Sequence, residues 1–192
     1  MSTPVIQLKR QLQYFYTPLR YPGGKSSLFS FFGSIIEKNG LQHVQYVEPY
    51  AGGAGAALSL LILGKVDSIV INDLDRAVFA FWKALTEDTD SFIRRIRETP
   101  ITINEWYRQR EVYRQKDADL FDLGFATFFL NRTNRSGILE GGVIGGLNQT
   151  GKWPIDARFN KENLIRKIEI IAEHKRNIEV LNEDGLEVIR RF

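Results

Sequence analysis

The sequence contains no cysteine and only two histidines, and this scarcity excludes two kinds of site. Without cysteine the chain can form no disulfide and no thiolate metal site. His43 and His174 stand apart from each other, so they predict no metal-binding constellation. We therefore expect no bound metal.

Long hydrophobic runs are also missing. The longest apolar stretch, 54–63, is interrupted by Ser59 and is too short to cross a bilayer, so it predicts a buried helix. Residues 1–10 lack the apolar core of a cleavable signal. We expect a cytoplasmic protein without a membrane partner.

Apolar and basic residues are plentiful. Apolar residues make up 43% of the 192, which is enough for a sizeable core in one domain, or in one domain with an insert. The net charge of +3 favours a polyanionic partner. Residues 106–158 carry eight lysines or arginines interleaved with tryptophan and tyrosine, which suits phosphate contacts and base stacking. The alternative is an ordinary solvated helix face.

The most informative stretch is 46–58, where an apolar strand, Glu48, a glycine-rich turn and an apolar helix follow one another. Glycines allow a sharp turn and a close approach to a ligand, and the helix directs its free N–H groups at the same place. The pattern predicts a nucleotide-type cofactor site. An ordinary strand-to-helix turn, with Asp73 as a helix cap, is the alternative.

The details of this stretch indicate which cofactor. A dinucleotide fingerprint needs Gly or Ala where the chain has Leu58. Glu48 would repel a pyrophosphate, but it can accept hydrogen bonds from the ammonium group of S-adenosylmethionine. Asp73 follows a second apolar strand, where an acid typically binds a ribose diol. Upstream, 24–26 imitates the end of a P-loop, but Leu19 replaces its first glycine.

With these pieces in this order, the chain resembles the DNA adenine-N6 methyltransferases that place a target-recognition insert between a cofactor half and a catalytic half. The family's P-x-G-G-K segment, beside the methionine end of the cofactor, is matched by Pro22, Gly23, Gly24 and Lys25. Its E-P-[FY]-x-G-x-G motif is matched by Glu48, Pro49, Tyr50, Gly53 and Gly55, and its ribose acid by Asp73.

The resemblance continues through 128–137, 141–146 and 151–160, and it implies binding of double-stranded DNA, methyl transfer to adenine N6 and a restriction–modification setting. The cofactor candidates that it implies are Tyr21, Gly24, Lys25, Glu48, Pro49, Ala51, Gly52, Gly53, Gly55 and Asp73, with Asp184 for the adenine amino group. The DNA candidates are Arg132, Asn134, Arg135, Ser136, Lys152 and Arg158.

One family motif, the catalytic Asp-Pro-Pro-Tyr, is missing, because none of the six prolines is followed by another. In the family its carboxylate and a proline carbonyl accept hydrogen bonds from the adenine amino group, and its tyrosine stacks on the extruded base. We therefore expect an N-terminal portion of the enzyme that is catalytically incomplete. The alternatives are a non-catalytic DNA-binding or regulatory remnant, and a methyltransferase that acts on RNA or another amine.

The predicted fold is a doubly wound α/β sheet of the Rossmann-like S-adenosylmethionine-dependent class, incomplete, with a helical insert. We expect a cofactor part at 1–85, the insert at 86–158 and a return to the sheet at 159–192. In the methyltransferase arrangement the catalytic strand pairs with strand one. An open edge there predicts self-association or pairing with a C-terminal segment.

The remaining expectations concern single elements. Strands are predicted at 45–48, 68–72 and 178–181, and helices at 25–38, 55–63, 76–85, 161–175 and 186–191. Residues 1–20 predict an extended leader, and 105–119 a solvated helix beside a buried one at 118–130. The glycine-rich block 137–151 predicts a loop or a β-hairpin.

Overall fold

A parallel three-stranded sheet lies at the centre of the computed structural model, which describes residues 16–21 and 23–192. Its strands are β1 (Gln45–Glu48), β2 (Ser68–Asn72) and β3 (Ile178–Leu181), in the order β1-β2-β3. Tyr46 pairs with Ile69 across the first interface, and Ile71 pairs with Val180 across the second. All three predicted strand spans are confirmed.

Eight α-helices are present in the described part of the chain. They are α1 (Phe29–Lys38), α2 (Gly55–Ile62), α3 (Arg76–Glu87), α4 (Thr89–Glu98), α5 (Ile103–Arg114), α6 (Leu120–Thr133), α7 (Lys161–Ala172) and α8 (Gly185–Arg191). Short 3₁₀ turns lie at Ser26–Leu28, Arg135–Gly137 and Lys175–Asn177.

Strand β2 is buried on both faces, as the middle strand of a parallel α/β sheet requires. Ile69, Val70 and Ile71 are all buried, although successive side chains point to opposite faces. Among residues 16–21 and 23–192, no strand pairs with the outer edge of β1 or of β3. The fold is therefore an incomplete α/β Rossmann-like sheet, as predicted.

Helix starts follow the capping rules. Asp75, Asp88, Thr102, Asp119 and Asp184 each accept a backbone hydrogen bond from the first turn of the helix that follows. Asn160 caps α7 in the same way, since its Oδ1 accepts from Asn163 N at 2.9 Å. Helix α7 ends at 172 rather than 175, because the chain there turns into β3 through a 3₁₀ turn.

The predicted insert shares its core with the rest of the chain. Phe81 of α3 stacks on Phe128 of α6, with ring centroids 6.0 Å apart. Phe92 of α4 meets both of these rings edge-on, and Phe159 meets Phe128 at 5.3 Å. The division of the chain into a cofactor part, an insert and a return to the sheet, with boundaries at 85/86 and 158/159, stays a prediction.

One of three expectations for loops and surfaces needs correction. Helix α5 is not solvated all round, because Trp106 and Gln109 are buried where it packs against α6. The glycine-rich block, predicted as a loop or a β-hairpin, is a loop with a single antiparallel bridge at Asn134–Val143. The leader expected at 1–20 falls mostly outside the described residues, but Tyr16 and Leu19 pack in the core.

The close contact of α3 and α6 predicts opposite effects for two helical glycines. A Cβ added at Gly124 would lie 2.4 Å from the Ala80 carbonyl oxygen, whereas a Cβ added at Gly33 would meet only side-chain atoms at 3.9 Å. Gly124→Ala should lower the free energy of unfolding by about 1–3 kcal/mol through overpacking. Gly33→Ala should raise it by up to about 1 kcal/mol through helix propensity.

Urea unfolding of the two variants, followed by circular dichroism, measures both changes. The Gly33→Ala variant is the matched control, because it makes the same chemical change inside another helix. Equal effects of the two substitutions would contradict the close approach of α3 to α6.

Candidate cofactor and DNA site

The carboxyl ends of all three strands are joined by Asn72, which is fully buried. Its Nδ2 donates to the carbonyl oxygens of Pro49 at 2.8 Å and Glu183 at 3.0 Å, and its Oδ1 accepts from Glu183 N at 2.9 Å. Its own carbonyl accepts from Ala51 N at 2.8 Å. The loops after β1 and β3 are thereby fixed relative to β2, and the predicted cofactor residues lie on these loops.

The turn after β1 requires glycine at position 52. Gly52 has φ +49°, and an added Cβ would lie 2.7 Å from the Tyr21 ring. Its N–H donates to Asp73 Oδ2 at 2.8 Å, and its carbonyl accepts from Trp82 Nε1 at 2.9 Å. The turn is therefore held from three sides, by β2, by α3 and by the segment before α1.

The start of α2 lies against the 3₁₀ turn of Ser26. A Cβ added at Gly55 would lie 1.9 Å from Ser26 Oγ, so a side chain there would displace the Ser26 hydroxyl. Ala54, just before it, has a left-handed backbone with φ +47°, a conformation that costs energy in a residue with a side chain. Glu48 Oε2 accepts from Ala57 N at 3.1 Å and so satisfies one free N–H of the helix.

Glu48 is a buried carboxylate with one counterion. Its Oε1 lies 3.1 Å from Lys25 Nζ, which also donates to the Tyr50 carbonyl at 2.7 Å. Burial raises the pKa of the Glu48 carboxyl, and this rise is opposed by Lys25 and by the hydrogen bond from Ala57. The structure thus brings together Lys25 and Glu48, which lie in two separate predicted motifs.

Asp73 and Asp184 follow the carboxyl ends of the neighbouring strands β2 and β3. Besides its bond from Gly52, Asp73 accepts from Asp75 N at 3.0 Å, and its side chain is half-buried. Asp184 is exposed and caps α8 by accepting from Leu186 N at 2.8 Å. Asn182 Nδ2 joins the two strand ends by donating to the Asp73 carbonyl at 2.8 Å.

A cavity of about 530 Å³ opens beside the glycine turn. Gly24, Gly53 and Gly55 form part of its wall, and three cationic side chains form another part: Arg20, Arg132 and Lys167. Burial and the nearby Arg132 lower the pKa of Lys167 to about 8. Burial, together with Arg20 and Arg158, lowers the pKa of Arg132 to about 10. The cavity is therefore strongly electropositive.

A second cavity, of about 410 Å³, shares Leu19 and Tyr21 with the first and has the opposite character. Tyr113, Asp75 and Glu140 line it. Burial raises the pKa of the Tyr113 hydroxyl, and the two carboxylates raise it further. Tyr21 thus lies between an electropositive and an acidic, aromatic cavity.

Asn134 is not available to DNA, so this prediction is wrong. It is fully buried, its Oδ1 accepts from Trp106 Nε1 at 2.7 Å, and its Nδ2 donates to the carbonyls of Ile138 and Leu139 at 2.9 and 2.8 Å. Its role is to fix the loop that follows α6. Nothing in the linear sequence links Asn134 to Trp106.

The other DNA candidates divide into two groups. Arg132 is half-buried, donates to the Arg158 carbonyl at 2.7 Å and faces the electropositive cavity. Arg135 and Ser136 are exposed on the loop after α6. Lys152 and Arg158 are exposed, and their charged groups lie 5.4 and 5.8 Å from the ring centroid of Trp153.

Several residues that build the site were not predicted. Asn72 and Trp82 hold the turn, and Arg20 and Lys167 supply charge to the cavity. A polar residue that ends an apolar strand, as Asn72 does, is a usable sequence signal. Arg20 and Lys167 carry no such signal, because only the fold brings them together.

Residues 16–21 and 23–192 hold neither a cluster of metal ligands nor a membrane-spanning helix. No group of three histidine, aspartate or glutamate side chains there is arranged to hold a metal ion. In the same residues, every helix is too short or too polar to cross a bilayer.

Comparison with known proteins identifies the family. No curated protein sequence matches the chain. The family model of the D12 class N6 adenine-specific DNA methyltransferases matches residues 21–191, which include the glycine turn, Asp73 and the whole predicted insert. This match confirms the resemblance drawn from the motifs: the chain belongs to the D12 class N6 adenine-specific DNA methyltransferase family, whose reaction is methylation of adenine N6 in DNA.

Proposed function

We propose that the chain binds S-adenosylmethionine at the turn after β1, with Tyr21 and residues 23–25, 48–55 and 73 as its walls. The observation that carries this proposal is the convergence of Lys25, Glu48, Gly52 and Asp73 at the carboxyl ends of β1 and β2. Ligands of open parallel sheets bind at these ends. When bound, S-adenosylmethionine supplies the methyl group.

The buried Lys25–Glu48 pair suits the amino-acid end of the cofactor. Lys25 Nζ lies 3.1 Å from Glu48 Oε1, and Ala57 N donates to Oε2, so a ligand ammonium either shares the carboxylate with Lys25 or displaces it. A zwitterion inserted between them replaces one ion pair with two, ammonium to Glu48 and carboxylate to Lys25. Neither buried charge is then left unpaired, which would be costly.

Asp73 is proposed to accept the ribose hydroxyls. Each of its oxygens accepts one backbone N–H, and a carboxylate has about four lone-pair sites, so capacity remains for a diol. Asp184, which follows the neighbouring strand β3, is the proposed acceptor for the amino group of the cofactor's adenine. Pro49, Ala51 and Gly53 are proposed to contribute backbone atoms to the wall of the cofactor site and to set its shape.

DNA is proposed to bind the exposed basic part of the insert. Arg135, Ser136, Lys152 and Arg158 lie on loops that follow α6, and all four are exposed. Asn134 supports this surface from within through its bonds to the loop carbonyls. Positive side chains on irregular loops suit phosphate and base contacts.

The proposed transfer also needs acceptors for the adenine amino hydrogens. The N6 lone pair is conjugated with the ring, so it becomes nucleophilic only when hydrogen-bond acceptors draw on its hydrogens. Asp-Pro-Pro-Tyr does this in the family, and it does not occur in the 192 residues. We propose that a segment carrying it pairs with the outer edge of β1, where no described strand lies.

The cofactor proposal predicts that Asp73→Ala weakens binding of S-adenosylhomocysteine by at least about 1.5 kcal/mol, or roughly tenfold, as expected for a lost charge-assisted hydrogen bond. Isothermal titration calorimetry measures this change. Asp88→Ala is the matched control, because Asp88 caps α4 and is exposed. Equal affinities of wild type and Asp73→Ala would remove Asp73 from the site.

The proposal for the missing acceptors predicts that the 192-residue chain alone transfers no methyl group to adenine, even with cofactor and DNA present. A C-terminal segment with Asp-Pro-Pro-Tyr, fused or added as a separate chain, should restore transfer. The assay is incorporation of labelled methyl groups into duplex DNA that contains adenine.

The control for this assay is the same segment with its aspartate changed to asparagine. Turnover by the chain without any segment would contradict the proposal, since the acceptor would then lie within these residues. DNA binding without transfer, even with the intact segment, would favour the non-catalytic DNA-binding remnant. Transfer to RNA in preference to DNA would contradict the proposed substrate.

A further inference from the structure

Four cationic side chains form a series that begins at the exposed Arg158 and continues with Arg132, Arg20 and Lys167 in the wall of the electropositive cavity. The first two are in direct contact, because Arg132 Nε donates to the Arg158 carbonyl at 2.7 Å. The four come from the segment before α1, from α6, from the loop before α7 and from α7 itself. The fold therefore gathers four like charges from four separate parts of the chain.

None of these four cations forms a salt bridge with an acid among residues 16–21 and 23–192. Three of them donate only to carbonyl oxygens: Arg20 to Asn134, Arg132 to Arg158, and Lys167 to Thr17. Half-buried like charges repel one another, and carbonyl dipoles offset this repulsion only in part. An anion in the cavity would relieve it.

The outer end of the series carries an aromatic ring. Trp153 is 54% exposed, and the charged groups of Lys152 and Arg158 lie 5.4 and 5.8 Å from its ring centroid. A large exposed ring beside two cations suits single-stranded nucleic acid, with a base on the ring and phosphates on the charges. Trp153 is one of the aromatic residues of 106–158 for which the sequence predicts base stacking.

The length of the series distinguishes between two anions. A single carboxylate, such as that of the cofactor, is bound by one or two donors and needs no cations at the surface. A sugar-phosphate backbone presents one charge per nucleotide and matches a series of spaced cations.

We propose that Arg158, Arg132, Arg20 and Lys167 form a phosphate track for one DNA strand, with Trp153 stacking on an unpaired base at its outer end. This inference rests on the proposed DNA substrate, and it extends the DNA surface beyond the insert to the segment before α1 and to α7.

Salt-dependent DNA binding tests the track. The logarithm of the binding constant falls with the logarithm of salt concentration by about 0.9 per neutralised phosphate. Lys167→Met should lower affinity for a fluorescent duplex about tenfold at fixed salt and reduce this slope by about one, whatever the DNA sequence. Lys167→Arg should retain both values.

The matched control is Arg166→Met, because Arg166 is exposed on the same helix, one residue before Lys167. It should leave affinity and slope near the wild-type values. Trp153→Ala should lower affinity at least about fivefold with an unchanged slope, because stacking releases no counterions. Thermal unfolding of each variant shows that it is folded.

Two results would overturn the track. One is a folded Lys167→Met variant with the slope and affinity of wild type, while wild type itself binds DNA. The other is a Lys167→Met variant that loses affinity for S-adenosylhomocysteine but keeps it for 5′-methylthioadenosine, which lacks the carboxylate; the cations would then bind the cofactor. Wild type that shows no salt-dependent DNA binding would instead contradict the proposed function.

Discussion

The site depends on the buried amide of Asn72, which fixes the carboxyl ends of three strands. A buried amide with every partner satisfied holds loops firmly, because breaking any one bond leaves a polar group without water. Asn72 bonds the loop after β1 through Pro49 and Ala51 and the loop after β3 through Glu183. Asp73, the next residue, then meets Gly52 at 2.8 Å. The position of the proposed cofactor site follows from these bonds.

Two further buried amides, those of Asn131 and Asn134, fix loops of the predicted insert in the same way. Asn131 accepts from Arg20 N at 2.7 Å and donates to the carbonyls of Arg20 and Gly137, both at 2.9 Å. Asn134 performs the equivalent role one helical turn later, for the loop that carries Ile138 and Leu139. Arg20, which lines the electropositive cavity, is thus held in place by α6.

Local chemistry explains which elements the sequence predicts. The strands are short apolar runs bounded by turns, and the glycine motif allows the sharp turn and close ligand approach of a cofactor site. Both features can therefore be recognised in the sequence alone. Asn134 was misread because its partner Trp106 belongs to another helix. Arg20 and Lys167 could not be found, since their role arises from charges that only the fold assembles. Trp82 looks like an ordinary core residue until its bond to the Gly52 carbonyl is seen.

The central claim is that the cofactor binds at the Gly52 turn, whereas DNA binds along the cations that lead from the surface around Trp153 to the wall of the neighbouring cavity. The three tryptophans report on this directly by NMR, since each gives one indole N–H signal and Trp82 Nε1 is bonded to the turn itself. S-adenosylhomocysteine should shift the Trp82 signal and leave that of Trp153 in place, and duplex DNA should do the reverse. A Trp82 signal that does not respond to S-adenosylhomocysteine, while another tryptophan does, would contradict the account.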